Sequence, residues 1–114
     1  MKIFYLIILL STLYSENTNL DSLYYNYNEI RDQLYVWQEE FGTTAHTFTP
    51  YQNSIVFKLD SIGVSSNESL PIYAVKLSIN ADQDEDEARV LILGQCHAEE
   101  IYGVEMSMAL INWL

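Results

Sequence analysis

Residues 88–100 read ARVLILGQCHAEE, and the fold turns on how they are understood. Val90 to Leu93 are four branched aliphatic residues in a row. A short continuous apolar run of this kind predicts a strand over Ala88–Gly94 that is covered on both faces, as at the centre of a sheet. Directly after it stand Cys96, His97, Glu99 and Glu100. At a strand-to-helix turn, His97 and Glu100, three residues apart, point to the same side and both can reach one ion. Zinc takes imidazole nitrogen and carboxylate oxygen. The competing reading is electrostatic: Glu99 and Glu100 favour the positive end of a helix while His97 caps it. Two known zinc patterns fail here. HExxH needs a glutamate and a second histidine where Ala98 and Ile101 stand, and HxxEH also needs a histidine at Ile101. What remains is HxxE with a third ligand elsewhere, and on these residues alone both readings stay open.

Working outward, IYGVEMSMALINWL (101–114) predicts a helix. Ile101, Val104, Met108 and Ile111 form one stripe, which Met106, Ala109, Leu110, Trp113 and Leu114 widen nearly all round. A helix apolar on most sides belongs inside a larger body. Upstream, Asp82 to Glu87 (DQDEDE) holds five carboxylates in six residues. It lacks the glycine and spaced ligands of an EF-hand loop, so it is expected to be a solvated hairpin tip. Ile72–Ile79 (IYAVKLSI) predicts the second strand of a sheet. The first, Ile55–Asp60, alternates Ile55, Phe57 and Leu59 against Val56, Lys58 and Asp60, giving one wetter face. Gly63–Pro71 is a turn-rich connection.

Asn26 to Gly42 predicts the first helix. Asn26 caps it, Glu29 completes a capping box, and Tyr27, Ile30, Leu34, Trp37 and Phe41 form a core stripe. Gly42 suits a left-handed C-terminal position. Thr43–Asn53 is polar, holds Pro50 and His46, and is expected to be loop with His46 at the surface. Cys96, at the end of a buried strand, is expected to be inert packing. Tyr24, Tyr25 and Tyr27 are assigned to helix packing.

The 114 residues allow one domain, and a composition 49% hydrophobic and 18% charged is that of a folded chain. A net charge of -11 repels phosphate backbones, so nucleic acid is excluded as a partner. Lys2, the apolar run Ile3–Leu10 and the small residues Ser11 and Ser15 have the layout of a secretory signal, with cleavage expected after Ser15. The mature chain then begins with a short segment, residues 16–24, and carries no stable membrane insertion. A single cysteine allows no intramolecular disulfide in an exported protein. A doubly covered strand and an all-round apolar helix also call for neighbours that these residues do not supply. The chain is therefore expected to be incomplete.

The order of these motifs resembles the start of the catalytic domain of zinc carboxypeptidases of the carboxypeptidase A type. The resemblance lies in the Y-x-E-I helix (Tyr27 to Ile30), the S-I-G strand end (Ser61 to Gly63) and the P-I-x-x-x-K-[IL]-S strand (Pro71 to Ser78). A V-L-I-x-G strand leading into H-A-x-E completes it. It covers about residues 24–114. It implies an α/β fold, the N-terminal part of a mixed twisted sheet with helices on both faces, truncated at its C-terminal end. It also implies His97 and Glu100 as two of three protein ligands to one zinc ion, and removal of C-terminal residues from peptides. The third ligand, a histidine, and the base glutamate lie downstream in that family, so no catalytic residue falls within this chain and the chain alone is expected to be inactive. The implied partner is a peptide or protein with a free C-terminus, and the implied location is secreted or periplasmic.

There are departures from that pattern. Many digestive members carry arginine where Glu99 stands, and GVSSNESLP replaces the usual charged turn with glycine and arginine. Both bear on peptide preference rather than on zinc. Deacylases of the aspartoacylase type share HxxE and a related sheet and form the alternative, as does a non-catalytic secreted half-domain used for binding.

Overall fold

The computed structural model describes residues 22–43 and 53–114. The signal segment, His46 and the loop around Pro50 lie outside these residues. Among the described residues the chain is a small mixed α/β structure, two helices and one two-stranded antiparallel sheet.

Helix α1, Tyr27–Phe41, starts as its sequence dictates. The Asn26 side chain accepts from the Asn28 and Glu29 amides at 3.0 and 3.1 Å, and Glu29 returns a bond to the Asn26 amide at 2.8 Å. Such a cap is worth about 1 kcal/mol. Its apolar stripe turns inward: Leu34 and Trp37 are buried, and Ile30 and Phe41 pack beside them. Tyr27 stacks on Tyr73 and its hydroxyl donates to the Pro71 carbonyl at 3.0 Å. The left-handed conformation expected at Gly42 is not adopted. Its φ of -103° and ψ of -10° are right-handed, and its N–H still donates to the Gln38 carbonyl. Glycine is required there for room, because a Cβ would strike the Gln38 side chain, whose Oε1 accepts the Leu59 amide at 2.7 Å.

Strands β1, Phe57–Val64, and β2, Pro71–Leu77, pair with Leu59 opposite Val75 and Ser61 opposite Tyr73. Beyond Ser61 the register shifts, so that Gly63 faces Ile72 and Ile62 is left out of the ladder. The expected alternation holds where it matters. Phe57, Leu59, Tyr73 and Val75 share one face and join the core, while Lys58, Asp60 and Lys76 lie on the other. Lys58 and Lys76 are directly opposite, and each is neutralised, by Asp60 at 3.0 Å and Glu87 at 3.1 Å.

Helix α2, Ile101–Trp113, docks through the stripe its sequence marks. Met108 is buried against Leu34, Trp37 and Phe57, with Val104 and Ile111 beside it. Both helices therefore contribute to a single core on one face of the sheet. The residues that widen the stripe stay outside: Met106 and Trp113 are 73% and 80% exposed. Among the described residues no helix is long and apolar enough to cross a membrane.

The third strand is the main correction. Residues 88–93 join no ladder, and Val90 and Leu91 are 89% and 84% exposed. A strand exists only by virtue of a partner, and among the described residues none lies beside this segment. The acidic run before it is consequently no hairpin tip. It remains a solvated loop, fastened by Lys76, which donates to the Gln83 carbonyl, and by Arg89, which pairs with Asp84 at 2.7 Å.

Candidate functional site

The turn 95–100 joins the extended segment to α2, and two glycines set where it sits. A Cβ on Gly103 would collide with the Gly94 carbonyl, and one on Gly94 would crowd the Ser107 hydroxyl at 3.1 Å. Glycine at both positions lets the backbone of the incoming segment lie directly against the first turn of the helix. The Gly103 carbonyl accepts the Ser107 hydroxyl at 2.8 Å, which fixes that turn further.

On this turn His97 and Glu100 meet. His97 Nδ1 lies 2.9 Å from Glu100 Oε1. Glu100 Oε2 accepts the backbone amides of Cys96 and His97 at 2.8 and 3.1 Å. The backbone closes the same turn, since the Glu100 amide donates to the His97 carbonyl at 3.0 Å. Contact with His97, followed by the two amides, lowers the Glu100 pKa below the ordinary carboxylate value. Both side chains are accessible, 69% exposed for His97 and 45% for Glu100.

The electrostatic part of the capping reading is compatible with Glu100 at the N-cap position of α2, but no His97 cap forms. Glu100 is the N-cap residue of α2, but its side chain makes no capping bond to the helix and reaches back to Cys96 and His97 instead. The His97 ring faces Glu100 rather than a helix amide. Glu99 is exposed. Cys96 is exposed as well, so the expectation of buried packing is overturned. The reason is that of the third strand: with no cover over 88–93, its end is at the surface.

A nitrogen and an oxygen donor on one accessible turn suit a zinc ion in type. Two ligand atoms on a tetrahedral zinc lie roughly 3.4 Å apart, given bonds of about 2.1 Å, so a zinc ion would have to replace the present hydrogen bond between Nδ1 and Oε1 and turn both donors toward itself. The amide bonds to Oε2 leave Oε1 for the ion and hold the carboxylate in place, as outer-shell partners do in metal sites. The set is nevertheless incomplete: among the described residues no three His, Cys, Asp or Glu side chains are grouped to hold a metal. His97 and Glu100 thus meet on one turn, and among the described residues no third ligand is grouped with them.

A large open concavity lies on a different surface. An apolar groove of about 600 Å³ runs between Ile92 and Leu93 and the outer face of α2, at Met106, Leu110 and Trp113. Neither His97 nor Glu100 lines it. The sequence predicts a closed interior for these groove residues, whereas among the described residues no further apolar element covers them. The opposite end of α2 is tied to the start of α1. Glu105 accepts the Tyr25 amide at 2.7 Å, and Tyr24 meets Tyr102 edge to face. Comparison with protein families, with curated proteins and with solved structures finds no match to the chain.

Proposed function

We propose that the chain is the N-terminal part of the catalytic domain of a secreted or periplasmic zinc metallocarboxypeptidase. The observation that carries this reading is the His97–Glu100 pair, 2.9 Å apart on a glycine-set turn between an apolar extended segment and a helix. The ordered motifs along residues 24–114 give that pair its context. In this reading Ala88–Gly94 becomes an inner strand of a mixed twisted sheet with helices on both faces, once the rest of the domain supplies its partners. The exposure of Val90 to Leu93 supports it, since an apolar segment of this kind is stable only when covered.

His97 Nδ1 and Glu100 Oε1 would hold one zinc ion, with the Cys96 and His97 amides keeping the carboxylate oriented. When bound, zinc supplies Lewis acidity, polarising a scissile carbonyl and activating water at neutral pH. The role of this chain's residues is to place that ion at the exposed end of the extended segment. The third ligand, the general base and the group that receives the substrate carboxylate come from elsewhere in the domain. Two ligands alone hold zinc weakly, because affinity depends on ligand count and a formed site.

The test is a peptide ladder followed by mass spectrometry, using the natural protein that carries this chain, loaded with zinc. The expected result is loss of single residues from the C-terminal end, abolished by a chelator and by His97→Ala. Release of acyl groups from N-acyl amino acids, with peptides left intact, would instead identify a deacylase of the aspartoacylase type. Absence of any hydrolysis with zinc bound would leave the non-catalytic binding module.

A further inference from the structure

We draw no further inference here: the strongest candidate, the apolar groove between the extended segment at Ile92 and Leu93 and the outer face of α2 at Met106, Leu110 and Trp113, carries nothing because it is an unpartnered surface and nothing in the structure shows what covers it.

Discussion

Met106 and Met108 stand two residues apart on α2, about 200° around its axis, and offer an internally controlled test of how the helix is seated. Met108 is 5% exposed and packs with Leu34, Trp37 and Phe57, whereas Met106 is 73% exposed. Truncating a buried methionine to alanine costs about 2–5 kcal/mol, depending on how far the cavity collapses. The buried core here is a single small cluster that can relax, so a loss of about 2–3 kcal/mol is expected for Met108→Ala. At position 106 the same change should stay within about 0.5 kcal/mol, as for other exposed sites. With a urea dependence of about 1 kcal/mol/M, Met108→Ala moves the midpoint down by about 2–3 M. A core this small supplies only about 3–5 kcal/mol in total, so that variant is left barely folded. Urea titration followed by far-UV circular dichroism and by tryptophan fluorescence reads both effects. Trp37 is buried and reports on the core, while Trp113 is exposed and contributes a nearly constant signal. Equal losses from the two alanine variants would refute the reasoning, because they would mean that the outer face of α2 is packed in solution.

Other outcomes follow from single features. Asn26→Ala removes the acceptor of two amide bonds and should cost about 1 kcal/mol by the same titration, with little change for Asn26→Ser. Gly103→Ala places a methyl group on the Gly94 carbonyl and should displace the turn, seen as amide shift changes across residues 94–100 while residues 57–77 stay put. Because the Glu100 pKa is depressed in the folded chain, its stabilising effect is present above the unfolded carboxylate pKa of about 4.3 and disappears as pH falls through its lower folded value. Glu100→Gln should therefore flatten that part of the acid-unfolding curve, and an unchanged curve would count against the His97 contact. Within the described residues, thermolysin should cut at 90–93 before any cut in 27–41, 57–64 or 71–77, because that segment joins no helix or sheet.

The legible parts of the sequence were those whose signals are local. Asn26, Glu29 and the 3–4 spacing of α1 specify a helix without reference to anything distant, and the helix forms with its full capping box. The alternation around Phe57 and Leu59 identified the buried face of β1, although the strand begins two residues later than expected and runs on to Val64 past an irregularity at Ser61–Gly63. The illegible parts were those that depend on neighbours. VLIL carries the composition of an inner strand, but composition cannot supply the hydrogen-bonding partner, and the segment stays unpaired and exposed. Cys96 inherited its error from that strand. Along α2 the apolar residues extend nearly all round, and only packing reveals that the Met108 side is buried and the Met106 side open. The spacing of His97 and Glu100 was readable because a turn needs only three residues to bring them together.

His97 and Glu100 are proposed as two donors of one metal site. The most direct measurement is a zinc titration of the folded chain with ¹⁵N-labelled histidine, followed by NMR of the imidazole nitrogens of His97 and His46. This readout resolves weak binding site by site. The account predicts that Nδ1 of His97 shifts progressively with zinc and that His46 does not. It also predicts that Glu100→Gln raises the half-saturating zinc concentration at least about tenfold, a loss of about 1.4 kcal/mol. Zinc that leaves the His97 ring unmoved, or that binds it equally well in the Glu100→Gln variant, would contradict the claim.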